Sequence, residues 1–349
     1  MRIVVNDIAA STGGAMTVLR DFYAYICEND WENEWIFLLS DRFFPETDNV
    51  KIRTLPEIKQ SRLKKLVFDF VTGRKYINAL APNVVFSLQN CMTFGVKAPQ
   101  VVYIHQSIPF QTQKKFSFLK SAERSLAVIQ YLIGSVIKLS AKKSDRVIVQ
   151  TKWMREAVCE ICRLKSEKVQ VVQPAVKPVQ AAMENYTFSP REFFYPTASE
   201  IYKNNACIRK ASEMLCSKGL EHRVTLTLPA EQTAGSVVCV GRLPYEEVMA
   251  RYRQGTLIFP SYIETFGYPL AEARMAGTVV LASDTPFSRE VLAGYENAYF
   301  FDPFKPEELA ILMERVITGD IRVKETKPAY KAENESWKQV METVLHCRK

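Results

Sequence analysis

The chain has no Asp-x-Asp pair, a single Cys-x-x-Cys, and no leading segment that reads as a signal peptide. Each shortage removes something. Without Asp-x-Asp there is no obvious carboxylate clamp for a metal ion. The opening MRIVVNDIAA alternates like a short strand and carries charges at Arg2 and Asp7, unlike the apolar stretch of a leader. Eight cysteines are scattered along the chain, most of them in apolar runs. Cys159 and Cys162 have no second pair and no histidine at ligand spacing. The expectation is therefore two buried thiols on a helix face rather than a zinc or redox site. Such cysteine usage fits a reducing cytoplasm.

What is present has the balance of a globular protein. Of 349 residues, 47% are apolar and 24% charged, enough for two domains with sizeable cores. Charge is unevenly spread. Residues 1–185 hold 26 Lys/Arg against 17 Asp/Glu, a net of about +9, and residues 186–349 hold 20 against 21, about −1. That asymmetry points one half at an anionic partner, a membrane surface or nucleic acid.

Short apolar runs alternate with helical patterns. Strands are expected near 2–7, 35–40, 50–55, 84–88, 101–105, 147–150 and 169–172, with helices near 15–28, 61–80, 116–143 and 152–162. QPAVKPVQAAMENYTFSPREFFYP holds four prolines without clear periodicity and reads as an interdomain connection. The pattern then restarts, with strands near 193–196, 224–228, 237–240, 257–259, 279–282 and 299–301. Helices are expected near 203–218, from about Gly267, and at 305–317, then at 336–346 beyond a polar stretch. Two doubly wound α/β domains in series, 1–175 and 192–330, with a last helix at 335–349, are the simplest reading. Ligands of such sheets collect at the carboxyl ends of the strands, in the crevice between lobes.

One helical stretch invites a membrane reading. Leu119, Ala122, Leu126, Ile129, Ile133 and Val136 form a stripe flanked by Lys114, Lys115, Lys120, Arg124, Lys138, Lys142 and Lys143. Its uncharged run is too short to span a bilayer. It either lies on an anionic surface or packs on the N-terminal sheet with solvated lysines, and the second is the plainer expectation.

The segment SYIETFGYPLAEARMAG, residues 261–277, asks for chemistry. GTLIFPS ends a strand, so Glu264 falls in the loop at its carboxyl end. Gly267 admits close approach of a ligand, and Pro269 suits the first turn of a helix. The amides of Phe266, Gly267 and Tyr268 then face whatever lies above that helix, whose dipole favours an anion. Glu272 lies in the second turn. An anion on the helix tip flanked by two carboxylates, each able to accept from a diol, has the shape of a nucleotide-sugar. Two further places suit the same ligand. Gly13-Gly14 sits between the first strand and first helix, and Lys203 stands at a strand-to-helix junction where it can neutralise a diphosphate leaving group.

In this order the motifs resemble family 4 of the retaining glycosyltransferases, of the bacterial surface-polysaccharide type, whose C-terminal lobe carries an E-x7-E signature. The resemblance rests on FPSYIETFGYPLAEARMAGTVVLAS and VVCVGRLPYEEVMARYRQGTLIFPS, with REVLAG and AYFFDPFKPEELA downstream. STGGAMTVL, VVYIHQSIPF and VIVQTKWM extend it into the first half. It implies a GT-B fold, two Rossmann-like domains with the active site in the cleft between them, the first for acceptor and the second for donor. The last helix, around Trp337, would pack back on the first domain. By resemblance, Glu264 holds donor-sugar hydroxyls near the reacting carbon, Glu272 the ribose, Lys203 the diphosphate, Gly13-Gly14 the underside of the diphosphate, and His105 the sugar near its anomeric carbon. Partners are a nucleotide-sugar donor, a glycan or lipid-linked acceptor and an anionic membrane surface; no cofactor and no metal are expected. The protein is then cytoplasmic, peripheral on the inner face of the membrane. One departure stands out. The family's arginine five residues before the lysine is Ala198 here, and Arg242 follows a different strand. A glycosidase would need its two carboxylates to flank a single bond, which this spacing disfavours. A GT-B-type nucleotide-sugar epimerase and a non-catalytic nucleotide-sugar-binding module remain alternatives. Nucleic-acid binding would explain the charge but not the Glu264–Glu272 segment.

Overall fold

The computed structural model describes residues 1–10, 13–176, 187–325 and 336–347. Ser11 and Thr12, the centre of the proline-rich connection (177–186) and most of the polar stretch before the last helix (326–335) lie outside them. The chain divides into two units, Met1–Gln173 with Glu333–Lys349, and Pro174–Ala332.

The first unit is built on seven strands: β1 (Arg2–Asn6), β2 (Glu34–Leu39), β3 (Val50–Thr54), β4 (Val84–Ser87), β5 (Gln100–Tyr103), β6 (Arg146–Val149) and β7 (Val169–Val171). They pair in parallel in the order β3-β2-β1-β4-β5-β6-β7. A parallel sheet covered on both faces needs continuous apolar runs, and β4 and β5 are buried at every position. The strand order reverses between β1 and β4, which marks the switch point where such sheets bind ligands.

On one face, Phe22 of the helix Gly13–Asn29 meets Trp35 at 5.7 Å between ring centroids, Phe86 at 5.2 Å and Trp337 at 5.2 Å. The helix Ser336–Leu345 belongs to this core, with Val340 and Val344 fully buried. The other face, through Val4, Ile36, Val85, Val102 and Val147, is covered by helical runs at 62–79 and 124–143. Each run contains a π turn, Phe68–Thr72 or Val128–Ile133, followed by a glycine.

The second helical run corrects the sequence expectation. It starts at Arg124, not 116. Buried Glu123 accepts from the Ser117 amide at 3.0 Å and pairs with Lys114 at 3.1 Å, while Gln130 accepts from the Phe116 amide at 2.9 Å. These side chains close 114–123 into a loop in place of a helical turn. Leu119 is consequently 92% exposed and Ala122 exposed, whereas Leu126 is buried and Ile129, Ile133 and Val136 are half-buried.

The second unit holds β8 (Glu192–Tyr195), β9 (Arg223–Leu226), β10 (Val237–Cys239), β11 (Thr256–Phe259), β12 (Val280–Ser283) and β13 (Ala298–Phe301). All pair in parallel, in the order β10-β9-β8-β11-β12-β13, so the switch falls between β8 and β11. Two helices here were not anticipated, Tyr245–Gln254 and Pro286–Val291. The first is dense in charge and buries only Met249, Ala250 and Tyr252, so its apolar stripe is thin.

Candidate functional site

In the second unit the switch point brings two loops together. β8 runs into Pro196–Ser199 and a single 3₁₀ turn, Ile201–Lys203; β11 runs into 260–267. The Tyr262 amide donates to the Tyr202 carbonyl at 3.1 Å and ties them. Lys203 and Glu264 therefore meet, with Nζ 2.6 Å from Oε1, and the Ser261 hydroxyl donates to the same oxygen at 2.8 Å. Lys203 Nζ also sits 5.7 Å from the centre of the Tyr202 ring. Burial, reinforced by the Glu264 charge, raises the Tyr202 phenol above its ordinary value, so it stays an O–H donor.

The helix that follows is Tyr268–Ala276. Gly267 precedes it at φ 84°, a left-handed conformation that suits glycine, and Pro269 occupies its first turn. Phe266 is buried beneath the tip, with its ring 5.3 Å from that of Tyr268. Glu272, one turn on, accepts from the Tyr252 hydroxyl at 3.0 Å. Burial raises the Glu272 carboxyl above the usual range, opposed by the Tyr252 hydrogen bond. Burial and the nearby Glu272 charge push the Tyr245 phenol up to about 12. Both tyrosines lie on or at the start of the unanticipated helix. Its cues were Pro244 before it, Glu246 and Glu247 in its first turn, and Arg251 and Arg253 in its last.

A cavity of about 500 Å³ opens beside Lys203, at the carboxyl ends of β8, β9 and β10. Thr197, Ala198, Leu228, Arg242 and Val248 line it with Lys203. Ala198, where the family pattern has arginine, thus faces the same space as Lys203.

In the first unit, the helix begins at Gly13 itself, and a Cβ on Gly14 would meet nothing within 4 Å. Packing among the described residues does not by itself demand glycine there. His105 follows β5, and its amide donates to Asn90 Oδ1 at 2.6 Å. Its ring lies against Tyr103, with centroids 3.9 Å apart, and both ring nitrogens are sealed from solvent without a partner among the described residues. Burial lowers its pKa to about 4, so the imidazole is neutral near pH 7, one nitrogen a donor and the other an acceptor. Gln89, after β4, likewise has both amide atoms buried and unpartnered among the described residues. Asp7, at the end of β1, is raised by burial to about 7 despite Lys65 and Lys59 nearby. Sequence reasoning missed Gln89, Asp7, Ser261, Tyr202 and Tyr252.

All eight cysteines are free thiols; Cys162 is buried on the helix Lys152–Cys162 and Cys159 half-buried. Among the described residues, no helix is long and apolar enough to cross a membrane.

Residues 12–180 match a family model described as Glycosyltransferase Family 4, and residues 219–335 one described as glycosyl transferases group 1. WbdA of Escherichia coli, a serotype-specific mannosyltransferase, is 23% identical over 282 residues, 71% of this chain and 34% of that protein. The chain thus spans about a third of the length of the curated relatives it matches. Among solved structures, WaaG, a glycosyltransferase involved in lipopolysaccharide biosynthesis, aligns with TM-score 0.69 at 12% identity, over 99% of this chain and 100% of its own. HepE of Anabaena, solved with UDP-glucose, aligns with TM-score 0.62 at 15% identity, over 99% of each chain. These likenesses carry the fold, two Rossmann-like domains of the GT-B class. With two family models matching in tandem, and the Glu264–Glu272 segment on the turn and helix after β11, the chain belongs to family 4 of the glycosyltransferases.

Proposed function

We propose that the protein is a retaining glycosyltransferase that moves a hexose from a UDP- or GDP-sugar to a glycan or lipid-linked acceptor in surface-polysaccharide or lipopolysaccharide synthesis. The observation that carries this reading is the Lys203–Glu264–Ser261 cluster at the switch point of the second sheet, beside a cavity of about 500 Å³. The activities of WbdA and WaaG, and the UDP-glucose held by HepE, point the same way.

In this reading Lys203 and Glu264 neutralise one another until donor arrives. The ammonium then turns to the diphosphate, and the released carboxylate accepts from hydroxyls of the sugar. The helix tip at Phe266, Gly267 and Tyr268 adds dipole to the same anion. Glu272 accepts from the ribose, and neutral His105 and the Gly13-Gly14 pair are assigned to the sugar and the diphosphate. As the bond from the anomeric carbon to the diphosphate oxygen breaks, that oxygen takes the acceptor hydroxyl's proton. The acceptor oxygen bonds the carbon on the same face, so configuration is kept without a side-chain base.

We place the protein on the inner face of the membrane, where a lipid-linked acceptor resides. The net of about +9 on residues 1–185 and the exposed Leu63, Leu119 and Leu132 support that placement. The test of transfer is incubation with UDP- and GDP-sugars and membrane-derived acceptors, reading the new linkage by NMR. An α-donor giving an α-linked product is expected. An inverted product overturns retention, and nucleotide binding without turnover on any acceptor returns the chain to the binding-module reading.

A further inference from the structure

We infer that Arg242 is the second cation of the nucleotide pocket and holds the diphosphate that Ala198 leaves without an arginine. The inference rests on the donor reading above.

Position comes first. Arg242 follows β10, and its loop is fastened to β9: the Val240 amide donates to Leu226 at 3.0 Å and the Gly241 amide to Leu228 at 2.8 Å. Gly241 has φ 74°, a left-handed turn in which the chain leaves the strand and brings Arg242 to the rim. Arg242, Lys203 and Ala198 line one cavity. β10 and β8 have only β9 between them, so their carboxyl ends lie about 10 Å apart at ordinary strand spacing. An extended arginine side chain covers most of that gap. The guanidinium can therefore reach the anion that an arginine at 198 would have met.

Charge decides the rest. Lys203 is committed to Glu264 at 2.6 Å in the free protein, so that pair presents no net charge. Arg242 is exposed and forms no ion pair among the described residues. It is the uncompensated cation lining the cavity. Its planar fork presents paired N–H donors that match phosphate oxygens, whereas a lysine offers a point charge.

The experiment compares Arg242→Ala with wild type in full-length protein, by ligand-observed NMR titration with UDP, GDP, uridine and guanosine, a method that reaches millimolar affinities. Diphosphate affinity is expected to fall about 10- to 100-fold, the range for hydrogen bonds to a charged group, and nucleoside affinity to change less than twofold. Retained nucleoside binding also reports a folded pocket. Equal losses for nucleoside and diphosphate would make Arg242 a base contact and overturn the inference, as would an unchanged diphosphate affinity. Wild type that binds neither diphosphate overturns the donor reading itself, and this one with it.

Discussion

The positions of Lys203, Glu264 and Glu272 were legible in the sequence, because a strand end and a helix start set them. Their protein partners were not, since Ser261, Tyr202 and Tyr252 arrive through loop contacts and a helix whose charges hid it. The partners shape what each mutation does. In the proposed mechanism charge on the leaving diphosphate grows as the sugar bond breaks, so Lys203 would act chiefly in the transition state. Lys203→Ala should lower kcat by about 10²–10³ with a smaller change in donor KM; steady-state kinetics with equal rates for both proteins would remove Lys203 from the mechanism. Glu272→Ala should cost about 1–3 kcal/mol of nucleotide affinity by calorimetry, the loss expected for hydrogen bonds to a charged group. The same change leaves the Tyr252 hydroxyl without its acceptor. A mutant that binds as tightly as wild type contradicts the ribose role. His105 and Asp7 give a pH signature of opposite signs. The folded pKa of His105, about 4, lies below the ordinary 6.5 of an exposed imidazole, so its contribution is full above pH 6.5 and is lost as pH falls toward 4. Asp7, raised from 3.8 to about 7, stabilises as the neutral acid at low pH, and that contribution is lost as pH rises toward 7. The stability difference between wild type and His105→Gln should therefore fall by about 2–3 kcal/mol from pH 7 to pH 4, by urea unfolding. A difference that does not move with pH would mean the imidazole titrates normally.

At the scale of elements, thirteen strands fell within a residue or two of where apolar runs placed them, because a strand buried on both faces must be a short unbroken run. Helices were less legible. Apolar periodicity over 116–143 ignored buried Glu123 and Gln130, which bond loop amides and delay the helix to Arg124. Nor does periodicity announce a π turn. Gly134 closes the second of these, where a Cβ would sit 2.8 Å from the Pro109 Cβ. At Gly267 both conformation and space resist a side chain: φ is 84°, and a Cβ would lie 3.2 Å from Leu270 Cδ1. Gly267→Ala should cost about 1–2 kcal/mol from the left-handed backbone alone. That loss corresponds to a melting temperature about 2–8 °C lower, read by calorimetry. An unchanged melting temperature would mean the turn before the helix relaxes freely, and the tip would then be a poor anchor for an anion.

For the whole molecule, the uneven charge was plain in the sequence, but which apolar side chains stay exposed beside it was not. The expected stripe turned partly inward. The side chains left outside include Leu63, Leu66, Val67 and Val71 on one helical run, and Phe118, Leu119, Tyr131, Leu132 and Leu139 in and before the other, both on the same face of the first sheet. Exposed lysines at 115, 120, 142 and 143 stand with them, while Lys114 is tied to Glu123. Two separable forces would then hold this face to an anionic bilayer. Each lysine near the surface contributes up to about 1 kcal/mol, and salt screens that term. Each leucine that enters the interface contributes up to about 2 kcal/mol, which salt does not remove. Flotation with vesicles containing anionic lipid should therefore show strong binding at low salt and a weaker residue at high salt. Neutralising Lys115, Lys120, Lys142 and Lys143 together should abolish most of the salt-sensitive part. Leu119→Ser with Leu132→Ser should abolish the residue while leaving the salt dependence of what remains. Binding to vesicles without anionic lipid as strong as to those with it would break the electrostatic half of the argument. Binding indifferent to both sets of substitutions would make these side chains ordinary solvated surface.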